Sequence, residues 1–445
     1  MNAARALALA VVVLLASSLL VGLATDRASS EQPTPEGDAT TPSNYTLIGV
    51  QAVGWFGNDN GYAAVVAQNG SLVWRWSVPN ARVFDTEQLQ NGNILASVAV
   101  VVPNAECPER YQERDGPANC VHNRVVEIDY DTKDVVWEYD WYDAFPNHHE
   151  VHDADRLPNG ETAIADMGND RAFTVNEAGE ITWEWNASDH IARGTPWFEQ
   201  HVPDDKADEF ASDGPESDWT HLNDIDQLSN GNFLLSVRNY DVVLEVTREN
   251  EIVETYGEPD DHAIMSEQHN PNVLAGPGTM LVADSENDRI VELDRETEEI
   301  IWQYERVPAS SDVDRRSLQW PRDADRLPGG NTLITDSRRY RVLEVRPDGS
   351  VAWSFNSQTA LGEKAIIYEA DRIRLNDGYL PEEPGGVRSG DGLQSQTEGP
   401  LAGAYATADS WLAFVLPAWM GPLSVLIALG DALAALLLAR ELRGG

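Results

Sequence analysis

The sequence predicts an all-β fold, a six-bladed β-propeller with shared-blade closure, on three observations. A ten-residue motif recurs along the chain, strand-like segments ending in alternating aromatics follow each full copy, and the two ends of the repeat region complement each other. The motif is clearest in His152-Asp-Ala-Asp-Arg-Leu-Pro-Asn-Gly-Glu161 and Arg322-Asp-Ala-Asp-Arg-Leu-Pro-Gly-Gly-Asn331. Looser copies begin at Phe84, Asn223 and His269, and a truncated sixth is Tyr368-Glu-Ala-Asp-Arg-Ile373. Self-similarity at spacings of 46 to 71 residues marks a repeat architecture.

Each full copy leads into an apolar strand such as Thr332 to Thr335, a second such as Arg341 to Val345, and a turn such as Pro347-Asp-Gly-Ser350. A closing strand then carries two aromatics at alternate positions: Trp74 and Trp76, Trp137 and Tyr139, Trp183 and Trp185, Trp302 and Tyr304, Trp353 and Phe355. The fourth unit keeps only Tyr256, with Glu254 in the tryptophan position. Short strands of period-two apolarity joined by Asn-Gly or Asp-Gly turns are what four-stranded blades require. The sixth copy has no strands after it, while Tyr45 to Trp76 holds three strands with none before them. One blade built from both ends would tie the ring shut and remove free sheet edges.

The propeller is assigned to residues 45–374. Residues 25–44 and 375–409, rich in Ser, Thr, Pro and Gly, read as linkers. Residues 1–24 contain an apolar run from Ala6 to Ala24 behind Arg5, which fits a signal peptide or an uncleaved N-terminal membrane anchor. Residues 410–440 hold a second apolar stretch, ending near Arg440 and Arg443, and read as a C-terminal transmembrane helix. Positive-inside bias then puts the C-terminus in the cytoplasm and the propeller on the extracytoplasmic side of the cell membrane. Two insertions interrupt the blades. One, Val101 to Asn123, carries both cysteines; the other, Ala187 to Trp219, is acidic and is expected to overhang one mouth of the ring. An external compartment would let Cys107 and Cys120 pair into a disulfide, two buried free thiols being the alternative.

Acidic residues number 74 against 31 basic ones, and only Lys133, Lys206 and Lys364 are lysines. Such a surface repels nucleic acid. Acidity spread along the whole chain reads as the solvated coat of a halophilic protein, screened by counterions.

The first strand of each blade lines a propeller's channel, so the residues opening the six motif copies converge. They are Phe84, His152, Asn223, His269, Arg322 and Tyr368, and His221, two residues before Asn223, faces the same way. Arg238, at the end of the next strand, reaches the same region. Imidazoles and guanidiniums gathered without a dominating carboxylate suit a small tetrahedral anion. Zinc is the rival, but three histidines on three blades would meet at one point only by special arrangement. No metal and no cofactor are expected.

The segments Asp218-Trp-Thr-His-Leu-Asn223, Ser236-Val-Arg-Asn239, Glu267-Gln-His-Asn270 and His152-Asp153 resemble the bacterial nucleotide-independent arylsulfotransferase family over residues 45–374. The resemblance implies transfer of a sulfuryl group from an aryl sulfate to a phenolic acceptor through a sulfohistidine at His269. It also implies supporting roles for His152, His221, Asn223 and Arg238. A neutral imidazole is a competent nucleophile for that chemistry. Arg238, Asn223 and Arg322 would hold the sulfuryl oxygens, Phe84 and Tyr368 would stack on the aryl ring, and His152 or His221 would move the phenolic proton. The chain departs from the family in its C-terminal apolar stretch. The alternative is a non-catalytic extracytoplasmic propeller that binds a ligand or a protein partner.

Overall fold

Six four-stranded antiparallel sheets account for the strands from Tyr45 to Ile373. They are seen in a computed structural model that describes residues 45–54, 60–112, 119–212, 214, 217–274, 278–305, 318–375 and 422–443. The inner strands are Ala81–Gln88, Val151–Arg156, Leu222–Gln227, His269–Leu274, Pro321–Arg326 and Ala365–Ile373, in blades one to six. Each touches the next, and the sixth touches the first, so the ring closes. Closure uses the predicted shared blade. Ala365–Ile373 pairs with Tyr45–Val53 from Val53↔Ala365 to Tyr45↔Ile373, and Tyr62–Ala67 and Leu72–Trp76 complete the sheet.

The middle strands, such as Phe233–Val237 and Thr332–Asp336, are buried along their whole length because neighbouring blades cover both faces. That is why they read as apolar runs rather than alternating ones. The closing-strand tryptophans reach across blades. Trp74 Nε1 donates to the Tyr130 carbonyl at 2.8 Å, Trp137 to Glu177 at 3.0 Å and Trp353 to Gln68 at 2.7 Å.

Two irregularities shape the channel. Each inner strand bulges beside its motif residue: pairing with the second strand skips His152, Asn223, Arg322 and Tyr368, the pair Phe84 and Asp85, and, after His269, the pair Asn270 and Pro271. A bulge re-aims the extra residue, which sends these side chains toward the axis. The residue after the bulge then ties its blade to the next. The Asp85 carboxylate accepts from Ala154 N (3.2 Å), Asp153 from Ile225 N (2.7 Å), Asp323 from Ala370 N (3.1 Å) and Glu369 from Thr86 N (3.1 Å). Each such hydrogen bond contributes roughly 0.5–1.5 kcal/mol net. The series breaks on both sides of blade four: Pro271 has no N–H to offer Asp224, whose Oδ2 has no partner among the described residues, and Asn270 stands in place of the acid and donates its amide to Asp323 at 3.5 Å.

Three expectations change. Val101 to Asn123 is largely an extension of the first blade: strands Ile94–Pro103 and Asn119–Ile128 pair out to Pro103↔Asn119, and Cys107 and Cys120 form a disulfide with Cα atoms 6.1 Å apart. Ala187 to Trp219 does not hang over the mouth as a free lid. Its Trp197, Phe198, Phe210 and Trp219 are buried with Phe233 and Tyr240, and Tyr240 Oη donates to the Phe210 carbonyl at 2.6 Å. Of the C-terminal stretch, Pro422–Arg443 is described and forms a helix, with proline in the first turn where its missing N–H costs nothing, and residues 410–421 lie outside the described residues. Among the described residues no helix is long and apolar enough to cross a membrane. The N-terminal apolar run and both linkers lie outside the described residues, apart from Leu375. The C-terminal helix belongs to a unit separate from the propeller.

Candidate functional site

All six motif-opening residues are buried at the centre of the ring, none more than 6% exposed. Phe84 stacks on His152 with ring centroids 4.3 Å apart and meets Tyr368 edge-on at 5.2 Å. His152 lies 5.2 Å from His221 and 5.5 Å from Tyr368, and Tyr368 lies 5.8 Å from His269. Three imidazoles from three blades therefore share one small space around the Tyr368 phenol. Phe84 is a packed wall holding His152 in place, not a free platform for an aryl ring.

The surroundings of His269 fix its tautomer. Its Nδ1 sits 2.8 Å from Ser285 Oγ and 3.1 Å from the Glu267 carbonyl. Ser285 Oγ gives its own proton to the Pro321 carbonyl at 2.6 Å, so it must accept from His269. Nδ1 therefore carries the proton and Nε2 keeps its lone pair. Burial, then Arg322 and Arg238, push the His269 pKa well below the ordinary value, so the ring is neutral. Ser285 is invisible in the sequence because it follows the second strand of its blade, sixteen residues from its partner. Ser285→Ala is expected to lower kcat roughly tenfold or more, as loss of an orienting partner does in other sites, while KM changes less. Steady-state kinetics with a chromogenic aryl sulfate measure that split.

His221 is held by Asp218, which accepts from Nδ1 at 2.7 Å and leaves Nε2 unprotonated. The residue adopts a left-handed backbone (φ 47°), as do Glu267 (49°) and Trp320 (52°), each two residues before a ring residue. A non-glycine residue pays about 1 kcal/mol or more for that conformation, so packing at the mouth enforces it. Burial and Arg238 lower the His221 pKa to about 4. His148 also contacts Asp218, at 3.1 Å. His148, Asp218 and His221 bring ligand-capable atoms within 4.8 Å of one another, as do His122, Glu138 and Asp140, and these are the groups that could hold a metal among the described residues. His148 thus joins this cluster from the loop that precedes Val151–Arg156.

The guanidiniums differ in their carboxylate partners. Arg238 forms an ion pair with Glu267 and lies 3.9 Å from Asp218. Arg322 has no carboxylate within ion-pair distance among the described residues. It is sandwiched over Trp320 at 3.8 Å and Tyr368 at 4.6 Å and donates to Gln51. Burial first, then Arg238 and Arg338, bring its pKa down to about 9. Arg338 stacks on Trp320 at 4.3 Å. Asn223 spends one amide N–H on the Gln268 carbonyl at 2.9 Å, bracing the backbone before His269. The buried Tyr368 hydroxyl, Asn223 Oδ1 and Arg322 Nε have no partner among the described residues, a concentration of unmet polar atoms that a polar ligand would relieve. Asp218, Glu267, Ser285, Trp320 and Arg338 were not singled out as site residues from the sequence.

A family model described as arylsulfotransferase (ASST) matches residues 80–267. The match supports the arylsulfotransferase family for this stretch. The arylsulfotransferase match, less than half of the chain, takes in Phe84, His152, His221, Asn223 and Arg238, and it ends two residues before His269. No curated protein matches the chain. A protein of unknown function from Bacteroides caccae is 16% identical, with TM-score 0.49 over 75% of this chain and all of that one. A catalytically inactive virginiamycin B lyase from Staphylococcus aureus, crystallised with quinupristin, is 11% identical, with TM-score 0.38 over 72% and 86%. Neither bears on the chemistry of this site.

Proposed function

We propose that the chain transfers a sulfuryl group from an aryl sulfate to a phenolic acceptor, with His269 Nε2 as nucleophile. The observation that carries this reading is a neutral, oriented imidazole beside a buried arginine that has no carboxylate at ion-pair distance among the described residues. In the first half-reaction the Nε2 lone pair attacks sulfur, the sulfur–oxygen bond to the aryl group breaks, and the phenolate leaves with its electron pair. Arg322, and Arg238 on rearrangement of its pairing with Glu267, take the negative charge of the sulfuryl oxygens. The Nδ1–H, held by Ser285 and the Glu267 carbonyl, lets the ring carry the positive charge of the sulfohistidine. In the second half an acceptor phenol loses its proton and attacks sulfur, and the nitrogen–sulfur bond breaks to restore His269.

His152 and His221 are the imidazoles placed to move the phenolic proton. Both are held neutral in the free site, His152 by burial first and then by His221 and Arg322. An anionic donor entering this pocket would raise both pKa values, so donor binding should take up a proton. The nucleophile's own depressed pKa means that its neutral form persists as pH falls. The acid limb of kcat/KM is accordingly expected well below pH 6.5, the ordinary imidazole value. A limb at 6.5 or above contradicts a buried, guanidinium-flanked nucleophile.

Mixing the full chain with a chromogenic aryl sulfate and no acceptor tests the reaction class. A two-step path releases one equivalent of phenol per site in a burst. A propeller that only binds ligands releases none. We place this chemistry outside the cytoplasm, at the cell membrane, in keeping with the Cys107–Cys120 disulfide.

A further inference from the structure

The two groups whose ligand-capable atoms lie within 4.8 Å of one another are not equivalent. In the group of His122, Glu138 and Asp140, the Glu138 carboxylate is already taken by Arg124 Nε at 2.5 Å. In the other, two imidazoles converge on one carboxylate: His148 Nδ1 lies 3.1 Å from Asp218 Oδ2, and His221 Nδ1 lies 2.7 Å from Asp218 Oδ1. These three come from the loop before Val151–Arg156 and from the last turn of the Ala187 to Trp219 insertion with the residues just after it. The backbone holds them there. His148 and His221 both adopt left-handed conformations, φ 60° and 47°, at about 1 kcal/mol or more each. Asn239 Nδ2 donates to the Asp218 carbonyl at 2.6 Å and so fixes the chain that carries the carboxylate. The His148 side chain is 55% exposed, which leaves the cluster open to solvent on that side.

We propose that His148, Asp218 and His221 form a zinc site, with both Nδ1 atoms and one Asp218 oxygen as protein ligands and water in the fourth position. Two nitrogens, a carboxylate oxygen and one open position make a ligand set that zinc takes. Zinc–ligand bonds of about 2.0–2.2 Å put neighbouring ligand atoms roughly 3.3 Å apart in a tetrahedron. The spacings of 2.7 and 3.1 Å are already close to that, so small side-chain rotations suffice to admit the ion. Ca²⁺ and Mg²⁺ fit less well, since they take about six or more ligands, nearly all of them oxygen. Arg238 opposes the metal, its Nη1 lying 3.2 Å from His221 Nδ1 and 3.9 Å from Asp218. Its charge is offset by the ion pair with Glu267, so the ion meets a compensated guanidinium. Ligation through Nδ1 shifts the His221 proton to Nε2. Metal-bound His221 therefore presents an N–H where the free residue presents a lone pair.

The test uses the full chain, purified without a histidine tag, stripped with a chelator and held at constant high NaCl so that the acidic surface stays screened. Equilibrium dialysis against Zn²⁺ should find about one tightly bound ion per chain, and the unfolding temperature should rise by several degrees, as a ligand selective for the folded state requires. His148→Asn keeps a residue that tolerates the left-handed backbone and removes a largely exposed side chain, so the metal-free unfolding temperature should not change. The same variant should raise the zinc Kd at least about tenfold, the loss that even partners outside the ligand shell can cause. His122→Ala, in the other group, should bind zinc as the parent does. Absence of a stoichiometric zinc ion, a His148→Asn protein that binds it as tightly as the parent, or loss of zinc from His122→Ala instead overturns the proposal. None of these readouts depends on sulfuryl transfer.

Discussion

His269→Ala is expected to reduce turnover of an aryl sulfate by at least about 10³-fold, in line with the loss of a nucleophile elsewhere. The fall should appear in kcat, and the phenol burst should vanish with it. His221 and His152 cannot substitute. The Nδ1 of His221 is committed to Asp218, and the face of the His152 ring is committed to Phe84, so neither can be swung onto the sulfur position without breaking its support. The substitution removes hydrogen bonds to Ser285 and the Glu267 carbonyl but leaves Ser285 still bonded to Pro321, so the fold should persist. Circular dichroism and the unfolding temperature separate lost chemistry from lost structure.

Arg322→Met should have two effects of opposite sign. Removing a donor aimed at a charged transition state typically costs about 2.7–4 kcal/mol, so kcat/KM should fall roughly 10²- to 10³-fold. Stability should rise, because a buried guanidinium with no carboxylate partner among the described residues is a standing cost that an apolar side chain of similar length relieves. Arg322→Lys should not restore activity, since an ammonium lacks the planar fork and stacks poorly between Trp320 and Tyr368. A variant that is both active and less stable than the parent would identify Arg322 as structural.

Much of the architecture was legible because a propeller repeats itself. Two near-identical motifs fixed the period, and the incomplete copies at Tyr45 and Tyr368 revealed the shared blade before any strand was seen. The ring residues were legible for the same reason: equivalent positions in a closed ring must meet. The repeat could not show the bulges that turn those positions inward, since a bulge is a matter of register between two strands. Nor could it show Ser285 and Asp218, which come from a strand end and from an insertion and act on histidines of the inner strands. The insertion read as a lid is a packed wedge whose final turn delivers Asp218 to His221 and His148. Its acidity hid this, because the buried Trp197, Phe198, Phe210 and Trp219 are scattered among solvent-facing carboxylates. Five of the six motif copies carry an acid after the ring position, the copy at His269 having Asn270 instead, yet only Pro271 distinguishes an interblade tie from an orphaned oxygen.

The account turns on covalent capture of the sulfuryl group by one nitrogen. Acid-free proteolysis and peptide mass mapping of the chain, quenched during turnover of an aryl sulfate without acceptor, tests it most directly. An acid-labile sulfuryl group on the peptide containing His269, absent from His269→Ala, is the predicted result. Turnover with no adduct on any histidine, or an adduct that persists at His152 or His221 in His269→Ala, would contradict it.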